Sequence, residues 1–98
     1  MPTETEARTY VEQSRDGVLT VSLDSRGTVT VQLEPEVNRT WSAEMLSERV
    51  FHLYTVAQMR ERCDQRLRMN ERGMDRPPSE VFPGAGDIAQ YRARFIDF

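Results

Sequence analysis

The stretch from Gly17 to Arg72 constrains this chain more than any other: two alternating segments joined at a tight turn, then one long run of helical periodicity. Residues 17–23 and 28–33 alternate apolar and polar side chains at a period of two, and Asp24-Ser25-Arg26-Gly27 between them has the composition of a turn. The pattern predicts an antiparallel hairpin. Leu19, Val21 and Leu23 project from one face of the first strand and Val29, Val31 and Leu33 from one face of the second, so pairing makes a half-apolar sheet that needs a cover. The helix that follows is the only element long enough to supply it. Upstream, residues 7–13 have the aromatic and β-branched content of a strand, and Ser14-Arg15-Asp16-Gly17 reads as a turn. The expected fold is therefore α+β: a three-stranded antiparallel meander, one long helix and a short C-terminal helix.

The long helix is expected to start at Ser42, whose hydroxyl can accept from an unpaired backbone N–H, with Glu44 at the positive end of the helix dipole and Trp41 and Leu46 as a hydrophobic staple. Gly73, after Arg68 and Arg72 and before Pro77-Pro78, marks its end. About thirty residues at 1.5 Å each would span about 45 Å, which outruns a small sheet. One apolar stripe, Leu46, Val50, Leu53 and Ala57, is placed to sit on the sheet. A second stripe, about a quarter turn away, runs through Met45, Val56, Met59, Cys63 and Leu67. It reads as a seam for a second subunit or another partner, the other reading being contact with the chain's own tail.

Residues 1–6 are polar and acidic, and are expected to be disordered ahead of a sheet-plus-helix domain over 7–73. Residues 74–98 form a Pro/Gly linker and a docking helix. Asp87 is the expected cap of that helix, over residues 88–96, with Ile88, Tyr91 and Phe95 on one face and Phe98 at the terminus. So short a helix is not stable unaided, so these four residues are expected to dock.

At 98 residues the chain buries only about two thirds of its unfolded surface, and pairing with a second copy is the economical way to hide the rest. All thirteen basic residues are Arg. The net charge of −3 is uneven: residues 1–59 carry 5 Arg against 9 acids, residues 60–76 carry 6 Arg against 4. The basic patch at the end of the helix comprises Arg60, Arg62, Arg66, Arg68 and Arg72, the residues a DNA-binding reading would use. Glu61, Asp64 and Glu71 are interleaved with them at spacings suited to intrahelical pairs, leaving few cations for phosphates. A single cysteine cannot form an intrachain disulfide, no apolar run approaches a membrane span, and the first residues do not have the pattern of a secretory signal, so a cytoplasmic location without membrane association is expected.

No phosphate-binding glycine loop, metal-ligand spacing or nucleophile elbow is present in the sequence. His52, the only histidine, has no identifiable nucleophile or orienting partner and reads as a packing residue. Cys63 reads as a small hydrophobe. The expectation is a non-enzymatic protein without cofactor or metal.

The segment from Asp16-Gly17 through both strands to Glu34-Pro35, then Ser42 to Val50, resembles the YbaB/EbfC nucleoid-associated family in the order of its pieces: a strand after Asp-Gly, a Gly-containing turn, a strand ending near an acidic-Pro pair, and a helix opening with an acid and Leu. The resemblance covers roughly residues 8–72. More narrowly, the segment looks like the YbaB-like domain of accessory proteins in mycobacterial type VII secretion systems, and the Arg-only composition fits an actinobacterial source. The resemblance implies a homodimer. It also implies DNA binding as an alternative function, although the Lys-rich character of the nucleoid-associated members is missing. No tyrosine is followed four positions later by an acid, so the resemblance points to an accessory factor rather than an exported substrate. The expected function is a homodimeric adaptor, with an unidentified protein partner.

Overall fold

The computed structural model describes residues 8–35 and 41–98. The expectation of disorder over residues 1–6 lies outside the described residues. Strands β1 (Thr9–Gln13), β2 (Leu19–Asp24) and β3 (Val29–Leu33) form one antiparallel sheet in that order, followed by helices α1 (Ala43–Glu71) and α2 (Ala85–Phe95). The α+β architecture expected from the alternation and the long periodic run is the architecture of the chain.

Both turns close where glycine permits it. Gly17 and Gly27 have φ of +80° and +87°, a region costly for residues with a Cβ, and each donates its N–H to the carbonyl three residues back, Ser14 or Asp24, at 3.0 Å. The Asp16 carboxylate accepts from the Ser14 hydroxyl at 2.9 Å and the Val18 N–H at 3.2 Å, and these bonds hold its carboxyl below the usual range. Asp24 accepts from the Arg26 and Thr28 N–H groups, both at 2.9 Å.

The pairing Leu19↔Leu33, Val21↔Val31 and Leu23↔Val29 on one side, and Tyr10↔Leu23 and Glu12↔Val21 on the other, puts all eight side chains on one face of the sheet. Helix α1 crosses that face over β1 and β2. Leu19, Val21, Leu53 and Ala57 are fully buried there, with Leu46 and Val50 packed around them. The cover stops short of β3, contrary to the expectation that the helix would hide both strands of the hairpin. Val29, Val31 and Leu33 remain 42–44% exposed. Long polar side chains on β1 account for the offset. The Tyr10 hydroxyl donates to Asp64 Oδ2 at 2.7 Å and Glu12 binds Arg60, which fixes the helix over β1.

Helix α1 starts as expected, with Ser42 Oγ accepting from the Met45 N–H at 3.1 Å. Gly73, at φ +101°, turns the chain out of it. Helix α2 differs from expectation: it begins at Ala85, and Asp87 acts from inside its first turn, accepting from the Gly84 N–H at 2.9 Å. An acid at the third helical position can satisfy a free donor as a residue preceding the helix can, and the sequence does not distinguish the two. Among the described residues no helix is long and apolar enough to cross a membrane.

Candidate functional site

The second stripe of α1 carries the chain's own C-terminal helix. Val56 is fully buried and Cys63 nearly so, both packed with Ile88 of α2, with Met59, Tyr91 and Ile96 around them. Beside this cluster His52 stacks on Phe95 at 4.9 Å between ring centroids, and its Nδ1 lies 2.8 Å from the Tyr91 hydroxyl. Phe98 meets Trp41 edge-on at 6.3 Å, Arg49 lies over both rings, and the Phe98 carbonyl accepts from the Arg15 N–H at 2.7 Å. The centre of the stripe, whose spacing suits a seam with another subunit, is therefore occupied by α2. Met45 at 36% exposure and Leu67 at 46% remain open at its two ends. The physical reason is proximity: Gly73 reverses the chain, and Asn70 binds the Arg76 backbone through its amide, which returns the linker along α1.

Glu12 locks this arrangement and was not legible as a functional residue. It is 9% exposed, and its Oε2 accepts from Arg60 Nη1 of α1 at 2.5 Å and Arg92 Nη2 of α2 at 2.8 Å. One buried carboxylate thus joins β1, α1 and α2. Removing both partners would strand a buried charge, which costs several kcal/mol, so the arginines hold the tail in place. The available signal was an acid on the same face of β1 as Tyr10, a position the alternation assigns to the core.

The arginines of α1 do not form the expected intrahelical pairs. Asp64 accepts from Tyr10, and among the described residues the two ion pairs both use Glu12. Arg60 belongs to that cluster and Arg66 Nη1 donates to the Arg76 carbonyl at 3.2 Å. Arg62 borders a cavity between α1 and the linker. Arg68 and Arg72 line a cleft together with Arg8, just before β1, and Arg26, in the β2–β3 turn. The five helical arginines are thus divided among four environments and form no continuous stripe. Among the described residues no cluster of three His, Cys, Asp or Glu is placed to hold a metal ion.

What remains open is β3. Val29, Val31 and Leu33 stand in a row on the helix side of the sheet, and β3 pairs only with β2 among the described residues, so its other edge has no strand partner among them. Residues 28–33 contain no charge and no proline, the usual devices that keep an edge strand from pairing. Compared with known proteins, the chain matches no family model, no curated protein and no solved structure.

Proposed function

We propose that the chain is a non-enzymatic homodimeric accessory protein acting through protein–protein contacts, a cytoplasmic factor of the YbaB-like, type VII secretion-associated kind that its strand–turn–strand–helix order resembles. The row Val29, Val31 and Leu33 on an unprotected edge strand carries the dimer reading. An apolar row half exposed on an edge strand with no outer partner among the described residues is a template for another strand, and a second copy brings the same row to meet it. Light scattering on the purified chain tests this: the expected mass is twice 11.4 kDa. Val31→Glu should reduce it to the monomer while circular dichroism shows the helices retained. A monomeric wild type at micromolar concentration, or a Val31→Glu dimer, would overturn the reading.

Nucleic-acid binding is the second reading. One observation favours it: among the described residues Arg62, Arg68 and Arg72 have no carboxylate partner within ion-pair distance. The division of the arginines between separate environments weighs against it, because phosphate tracking needs a continuous basic face. Anisotropy titration of duplex DNA at low and physiological salt separates the two.

A further inference from the structure

Where the last turns of α1 meet the β2–β3 turn, the surface folds into a cleft of about 530 Å³ lined by Arg8, Arg26, Arg68 and Arg72, with Tyr10 and Glu61. Its four guanidinium groups come from three separated segments, and each segment is held by bonds that do not involve those groups. The β2–β3 turn that carries Arg26 is closed by the Asp24 carboxylate and by Gly27. The start of β1 is tied to that turn by the Ser25 N–H donating to the Arg8 carbonyl at 2.9 Å. Arg68 lies in the last turn of α1 and Arg72 caps it, just beyond Asp64, which the Tyr10 hydroxyl anchors to the sheet. The cluster is thus assembled by the fold rather than by ion pairs among its members.

Among the described residues none of the four arginines has a carboxylate partner, since both ion pairs there are made by Arg60 and Arg92. Arg68 Nη1 is buried and has no hydrogen-bond acceptor. A buried guanidinium donor without an acceptor is an unfavourable arrangement, and turning the Arg68 fork into the cleft toward a bound oxyanion would relieve it. Glu61 is the only acid on the cleft wall among the described residues, so their lining holds a net excess of three positive charges on a protein whose own net charge is −3. Planar guanidinium forks match phosphate oxygens two at a time, and the volume lies within the usual range for small-molecule sites.

We infer that this cleft binds a soluble diphosphate-bearing anion, of the class of pyrophosphate or a nucleoside diphosphate. The charge balance selects a compact ligand with about three negative charges, and the concave, localised site selects it over an extended polyanion. Val29, Val31 and Leu33 do not line the cleft, so the inference stands apart from the dimer.

Isothermal titration of the full chain with inorganic pyrophosphate at physiological salt is the test. The expected result is saturable binding, stronger than for orthophosphate, and weakened about tenfold or more by Arg68→Gln and by Arg26→Gln, the loss of one bidentate contact in each case. Arg26 is an exposed turn residue, so its variant should keep the wild-type melting temperature and stay informative if Arg68→Gln folds poorly. Arg94→Gln, on α2 and outside the cleft, should bind as the wild type does. Absence of saturable heat at millimolar pyrophosphate would overturn the inference, as would binding indifferent to Arg26→Gln. Displacement of pyrophosphate by duplex DNA, with a steep salt dependence, would assign the arginines to nucleic acid instead.

Discussion

Tyr10 shows how a single side chain sets the position of a helix. Its ring is 5% exposed against Leu23 and Ala57, and its hydroxyl reaches past them to Asp64, so the same residue fills the core and aligns α1 over β1. Burial, then the hydrogen bond donated to Asp64, then the charge on that carboxylate push the Tyr10 hydroxyl up from 10.0 to about 12, with Arg8 opposing. The folded chain therefore holds this proton more tightly than the unfolded chain does. The resulting stability is fully present below pH 10 and is lost as the pH rises toward 12. Thermal melts across that range should show a steep fall for the wild type and a shallower one for Tyr10→Phe. At neutral pH the variant should be less stable by about 1 kcal/mol, the net worth of one hydrogen bond.

At the scale of elements, α2 is a helix that exists because α1 offers it a surface. Its 11 residues are too few to hold a helix in water, and Ile88, set between Val56 and Cys63, supplies its central apolar contact. Ile88→Ala should cost about 2–4 kcal/mol, the range for truncating a buried aliphatic side chain. The same contact shields the only cysteine, which is 8% exposed. Thiol labelling of the native protein should accordingly be slow, and Ile88→Ala should accelerate it several-fold before global unfolding. Equal labelling rates in the two proteins would mean that α2 does not govern access to Cys63. Amide exchange over residues 85–95 should follow the labelling rate, because Glu12 ties α2 to β1 and α1 through Arg92 and Arg60.

For the whole molecule, the radius of gyration of 15.1 Å exceeds the roughly 13 Å of a compact domain of about 100 residues. The long helix covers only two strands of the sheet, so among the described residues the apolar face is left partly open at β3. If a second copy closes it, the melting temperature should rise with protein concentration, since association with the folded state stabilises it by mass action. Differential scanning fluorimetry over a hundredfold range of concentration reads this directly. Val31→Glu should abolish the dependence, while Arg26→Gln should leave it intact, which keeps the sheet edge and the arginine cleft experimentally separate.

The elements and their order were legible in the sequence because each rests on local physics. Alternation at a period of two made β2 and β3, glycines at positive φ made both turns, and Ser42 fixed the start of α1. Fold class follows from such signals almost directly. Partnership between faces does not, because an apolar stripe states only that it should be covered and carries no record of what covers it. Val56, Met59 and Cys63 had the spacing of a seam, but the chain reversal after Gly73 brought Ile88 onto them. Val29, Val31 and Leu33 had the spacing of a covered face, but Tyr10 and Glu12 held the helix toward the opposite edge. Arg8 and Arg26, which no local pattern links to the helix, are set beside Arg68 and Arg72 by the fold alone. Local periodicity therefore determined what this chain forms, whereas long-range contacts between side chains remote in sequence decided which surfaces it conceals and which it leaves open.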